Sequence, residues 1–84
     1  MDSKFIVYGR STCPYCSHAI DLLEARGIQN VFFDFASNPS AIQEAKEFYN
    51  WKTVPMVIEN NNTTGETKFI GGYDDLYERL NSKF

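Results

Sequence analysis

Apolar and polar positions along the chain alternate in blocks that predict seven elements. Lys4-Phe5-Ile6-Val7-Tyr8 is a short β-rich apolar run that stops at Gly9, the pattern of a buried strand. In SHAIDLLEARG, which follows, the apolar side chains Ala19, Ile20 and Leu23 recur with Cys16 at helical spacing, and Asp21, Glu24 and Arg26 take the other side. Pro14 suits the first turn of that helix, where its missing N–H is harmless, and Gly27 suits its end. Residues 28–35, IQNVFFDF, read as a second strand centred on Val31-Phe32-Phe33. Ser37-Asn38-Pro39-Ser40 sets a capping side chain before a proline, which announces a second helix. Ile42, Ala45 and Tyr49, with Ala41 and Phe48 beside them, supply its inner stripe. Met56-Val57-Ile58 is a third strand, entered through Thr53-Val54-Pro55. After a polar loop over residues 60–65, Lys68-Phe69-Ile70 forms a fourth strand ending at Gly71-Gly72. Leu76, Tyr77, Leu80 and Phe84 make the stripe of a closing helix.

The order is therefore βαβαββα, an α/β fold read as one domain over residues 1–84, with a four-stranded mixed sheet flanked by helices. The first βαβ unit requires a parallel strand pair with a right-handed crossover. The last two strands, joined by a short polar loop, predict an antiparallel hairpin.

Composition changes this picture little. With 43% hydrophobic and 15% aromatic residues, 84 residues fill one compact core. The net charge is -3 and no Lys/Arg cluster exists, so neither nucleic acid nor an anionic membrane is an expected partner. The opening MDSKFIVYG carries no apolar leader pattern, so a cytoplasmic, reducing compartment is expected, where a stable structural disulfide is not. Asn61-Asn62-Thr63 and Asn62-Thr63-Thr64 match the glycosylation acceptor pattern, but here they read as polar loop.

The chemistry concentrates in one turn. Both cysteines of the chain, Cys13 and Cys16, stand in Cys-Pro-Tyr-Cys where the first strand ends and the first helix opens. Unpaired backbone N–H groups and the helix dipole favour negative charge there, so a Cys13 thiolate is stabilised and nucleophilic near neutral pH. Arg10 adds positive charge to the same corner. Cys16, one turn further in, lacks those donors and should stay protonated and more buried. Cys13 would then attack a substrate disulfide, and Cys16 would resolve the mixed disulfide. Three other readings of the motif stand beside this one. A structural disulfide across so short a loop constrains the unfolded chain little. A zinc site needs about four ligands, and only His18 is near. A haem attachment motif needs His directly after the second cysteine, where Ser17 stands. His18 itself reads as a surface histidine, and Trp51 as packing or surface.

Three separated motifs resemble those of glutaredoxins, small dithiol members of the thioredoxin fold. Tyr8-Gly9-Arg10-Ser11-Thr12-Cys13-Pro14-Tyr15-Cys16 resembles their active-site segment. Thr53-Val54-Pro55 resembles their TVP element, and Gly71-Gly72-Tyr73-Asp74-Asp75 the element that opens the last helix. The resemblance implies a cis Val54–Pro55 bond, with backbone groups of Val54 opposite Cys13 to pair with the cysteinyl part of glutathione. It implies that Asp74 and Asp75 receive the γ-glutamyl end, that Tyr15, Thr53 and Gly72 flank the tripeptide, and that Arg10 and Lys52 attract its glycine carboxylate. Taken singly, Asp74 and Asp75 also read as helix caps, Gly71-Gly72 as a turn, and Lys52 as solvated surface.

The implied function is that of a glutathione-dependent thiol-disulfide oxidoreductase with no tightly bound cofactor or metal. Glutathione is its co-substrate, and disulfide-containing or glutathionylated proteins, ribonucleotide reductase among the family's partners, are its targets. A monomer is expected. Two alternatives stand: a dimer holding a glutathione-ligated [2Fe–2S] cluster through Cys13, and a thioredoxin-like reductant fed by thioredoxin reductase. Pro14 and Tyr15 count against the first. Cys-Pro-Tyr-Cys in place of Cys-Gly-Pro-Cys counts against the second. The segment between Ile58 and Phe69 is longer than in compact bacterial glutaredoxins and is expected to extend the hairpin away from the site.

Overall fold

A computed structural model describes residues 3–81. Strand β1 (Ser3–Gly9) leads to helix α1 (Pro14–Ala25), followed by β2 (Asn30–Asp34), α2 (Pro39–Tyr49), β3 (Met56–Asn61), β4 (Thr67–Gly71) and α3 (Tyr73–Asn81). The strands form one mixed sheet in the order β2-β1-β3-β4. β1 runs parallel to β2, with Val7 beside Phe32, and antiparallel to β3, with Val7 beside Val57. β3 and β4 form the antiparallel hairpin, with a register shift between Val57 and Ile58.

Alternation along the strands divides the apolar side chains between two faces. Phe5, Val7 and Val57 turn to α1 and α3 and are fully buried with Ala19, Leu23, Leu76 and Leu80. Opposite, Tyr49 of α2 stacks on Phe69 of β4 at 4.8 Å and meets Tyr8 of β1 at 6.5 Å. This second face is covered by one helix instead of two, and two expectations fail there. Val31 and Phe33 are exposed at the sheet edge, so the predicted apolar centre of β2 leaves only Phe32 half-buried. Phe48 lies outside the inner stripe of α2, 80% exposed, and lines an open hollow between α2 and the sheet with Tyr8, Phe33, Phe35 and Tyr49. On the first face a third fails: Tyr77 leaves the α3 stripe, where Leu76 and Leu80 are the buried side chains and Tyr73 packs half-buried against the core. Phe84 lies outside the described residues.

Caps follow the sequence closely. Asn38 caps α2 by accepting the Ala41 N–H, with Pro39 at the first position. After α1, the Gly27 N–H closes on the Glu24 carbonyl. The hairpin turn lies beside Ser3, whereas Met56 lies beside Tyr8. The longer loop is therefore at the far end of the sheet from the cysteines.

Candidate active site

Cys13 is the N-cap residue of α1, with extended backbone (φ -93°, ψ 119°) and Pro14 next to it. Its carbonyl accepts the N–H groups of Cys16 and Ser17, at 3.2 and 3.3 Å, and its own N–H donates to Arg10. These bonds place the Cys13 side chain over the open end of the helix, half-buried, while Cys16 turns inward at 1% exposure. Both are free thiols. Cys16 has room because Gly9 has no side chain: a Cβ there would collide with Cys16 Sγ.

The two thiols titrate apart. For Cys13, partial burial pushes the pKa up, but the Cys16 N–H and thiol, the Tyr15 N–H and the Arg10 charge outweigh it, and the pKa lies below the ordinary value of 9.0. For Cys16, burial dominates, assisted by the charge of Cys13, and pushes the thiol up to about 11. The pair is thus an outer thiol made more acidic beside an inner one that holds its proton.

Across from Cys13, the Val54–Pro55 peptide bond is cis. The Val54 carbonyl is 4.0 Å from Cys13 Sγ, at the outer reach of a thiol donor. From this point a groove of about 430 Å³ runs along the surface. Tyr15, Thr53, Val54, Pro55, Gly72, Asp74 and Asp75 line it, with Gly72 close against the Pro55 carbonyl. Seven of the predicted site residues therefore meet in one groove beside the two cysteines. Arg10 and Lys52 do not line it. Arg10 acts on the cysteines through its charge, and Lys52 lines a neighbouring hollow with Lys46 and Asn50.

The two aspartates differ. Asp75, at the third position of α3, reaches back to accept the Gly72 N–H at 3.0 Å, half of a capping box. Gly71 makes this possible, with φ 125° and an absent Cβ that would touch Asp75. Asp74 is exposed and accepts no hydrogen bond among the described residues, so it lines the groove with its carboxylate uncommitted.

Three residues of the site were not read as such from the sequence. Trp51 and Tyr73 also line the groove, and the indole Nε1–H of Trp51 is buried without a partner among the described residues. Asp34, at the end of β2, accepts the Ser11 N–H at 3.1 Å and the Ala36 N–H at 2.9 Å. It thereby ties the active-site loop to the sheet, and these bonds lower its pKa. Only its place at a strand end was legible beforehand; the 23-residue span to Ser11 was not.

Known proteins resemble this chain in sequence and fold. The family model for glutaredoxins matches residues 5–62. Glutaredoxin 3 of Escherichia coli is 31% identical over 71 residues, spanning 84% of this chain and 78% of that protein. Among solved structures, a buckwheat glutaredoxin–glutathione complex aligns with a TM-score of 0.73 and 28% identity, over 93% of this chain and 68% of that one. A dithiolic glutaredoxin of Trypanosoma brucei brucei aligns with a TM-score of 0.67 and 33% identity, over 90% and 75% of the two chains. An acidified thiol at a helix start, a cis-proline beside it and a matching sequence over most of its length make this chain a member of the glutaredoxin family, the thioredoxin-fold proteins that carry out glutathione-dependent thiol-disulfide exchange.

Proposed function

We propose that this protein reduces two kinds of disulfide through the same nucleophile. In the dithiol route, the Cys13 thiolate attacks a protein disulfide and forms a mixed disulfide, and the displaced sulfur takes up a proton. Cys16 then gives up its proton and attacks the Cys13 sulfur. The second substrate thiol leaves, and the Cys13–Cys16 disulfide keeps the two-electron balance. One glutathione thiolate opens that disulfide at Cys13, and a second attacks the glutathione sulfur, releasing oxidised glutathione and the Cys13 thiolate. In the monothiol route, Cys13 attacks the glutathione sulfur of a mixed disulfide directly, and a second glutathione resolves it without Cys16.

The observation that carries this reading is the groove itself: Val54, whose carbonyl lies 4.0 Å from Cys13 Sγ, lines it together with the uncommitted carboxylate of Asp74. Backbone groups of Val54 suit the cysteinyl part. Asp74 suits the γ-glutamyl amine, and the N–H groups opening α3 suit its carboxylate. Tyr15, Thr53, Pro55, Gly72 and Asp75 shape the walls. Arg10 and Lys52 lie outside them and act on the glycine carboxylate through charge alone. The buckwheat protein, solved with glutathione, supports the same ligand. The acting species is a monomer.

The test is turnover of a small glutathione mixed disulfide, coupled to glutathione reductase and NADPH. Cys13→Ser should abolish it. Cys16→Ser should retain it while losing the reduction of protein disulfides. Activity surviving in Cys13→Ser would overturn the mechanism.

A further inference from the structure

The groove accounts for glutathione but not for the surface that continues beyond it. From Tyr15, 60% exposed and two residues from Cys13, a run of rings crosses to α3. Tyr15 meets Tyr73 at 6.2 Å, and Tyr73 meets Tyr77 one turn further along α3 at 6.4 Å. His18 of α1 sits edge-on against both Tyr15 and Tyr73, at 5.9 and 6.1 Å. Tyr77, at the outer end, is 50% exposed and takes no part in the glutathione groove. Nothing in the packing of the described residues requires a tyrosine there, because Leu76 and Leu80 fill the core beneath.

Carboxylates outnumber bases beside this strip, and the base at its outer end, Arg26 of α1, donates to the Leu80 carbonyl and the Asn81 side chain. Asp74, Asp75 and Glu78 are the exposed charges of α3. Its one base among the described residues, Arg79, turns to Glu59 on the sheet, with both guanidinium contacts at 3.0 Å. An aromatic face attracts Lys and Arg, and neighbouring carboxylates strengthen that attraction while repelling acidic chains. A strip of this character, continuous with the reacting thiol, is complementary to one kind of substrate.

We propose that the Tyr15–Tyr73–Tyr77 strip, edged by Glu78, docks the polypeptide around a target disulfide, and that the preferred targets carry Lys or Arg close to the oxidised cysteine. This rests on the disulfide exchange proposed above and uses the same two-electron transfer from Cys13 and Cys16. An extended chain advances ~3.3 Å per residue, so a basic residue about four positions from the cysteine reaches Tyr77. A small glutathione mixed disulfide does not extend that far.

Two disulfide-bonded peptides that differ only in Lys/Arg or Glu at those positions test the proposal, with dithiothreitol as reductant. The small glutathione mixed disulfide, with glutathione, is the control. Wild-type kcat/KM should favour the basic peptide by about 10-fold, and added salt should shrink the difference. Tyr77→Ala should lower kcat/KM for the basic peptide by about 3- to 10-fold, through KM, and Tyr77→Phe should restore it. Glu78→Gln should narrow the preference by about 2- to 3-fold. Both Tyr77→Ala and Glu78→Gln should turn over the control like wild type. Equal turnover of the two peptides by wild type, or an unaltered basic-peptide KM in Tyr77→Ala, would overturn the docking surface. A wild type that discriminates the peptides but ignores the glutathione substrate would keep the docking surface and remove the glutathione reading.

Discussion

Cys13 and Cys16 carry the same side chain three positions apart, and their surroundings make one an acid and the other nearly inert. Amide groups of the helix start face Cys13, whereas Cys16 is packed against Gly9 and shielded from water. Alkylation followed against pH should therefore show one fast thiol titrating below 9.0 and a second that reacts only as pH approaches about 11. The sign for stability follows. Because the folded Cys16 pKa is raised, its contribution is intact below 9.0 and is lost as pH climbs toward about 11. Chemical denaturation of the reduced protein across that window should show the decline, and Cys16→Ala should show a smaller one, left by Tyr49, whose pKa burial also raises above 10.0. The order of the two pKa values was legible from the helix start. The packing of Cys16 against Gly9 was not, because it depends on how β1 meets α1.

At the scale of elements, helix ends carry the information that positions the site. Asn38 caps α2 through one exposed hydrogen bond of 3.3 Å, and Asn38→Ala should lower unfolding stability by about 1 kcal/mol, read from a denaturant midpoint. Asn38 was identifiable as a cap from its sequence neighbours alone. The start of α3 is different. Gly71 holds a φ of 125° and leaves no room for a Cβ beside Asp75. Gly71→Ala should cost about 1–3 kcal/mol and should weaken glutathione substrates through KM, because Asp74 moves with the helix start. A turn was predicted at Gly71-Gly72. The assignment of Asp75 to the cap and Asp74 to the groove was not, since both aspartates fit either role in sequence.

Across the whole molecule, Glu59 joins three elements at the end opposite the cysteines. It is buried on β3, accepts the Ser3 hydroxyl of β1 at 2.8 Å and pairs with Arg79 of α3 through two hydrogen bonds of 3.0 Å. Breaking a fully buried pair costs more, but Arg79 is 28% exposed, so Glu59→Ala should cost about 2 kcal/mol by urea unfolding. Turnover of the small glutathione mixed disulfide should be unaffected wherever the variant is folded, because the tie lies at the other end of the sheet. In the sequence Glu59 is merely an acid at the end of an apolar run. Its partners lie 56 and 20 residues away.

Periodicity by itself determined the element order, the polarity of the strand pairs and the chemical asymmetry of the cysteine turn, because these depend on neighbours within a few residues along the chain. Family motifs added the cis bond and the mouth formed by the cysteine, Thr53-Val54-Pro55 and Gly71-Gly72 segments. Only the tertiary structure decided which apolar side chains are covered. Val31, Phe33, Phe48 and Tyr77 fit apolar stripes in the sequence yet stand exposed, since a single helix spans one face of the sheet and Tyr73, Leu76 and Leu80 make the core contacts of α3. It also decided that Asp34 holds the Ser11 loop and that Trp51 and Tyr73 join the groove wall. Those are contacts between distant segments, and they exist only once the sheet has set the distance between them.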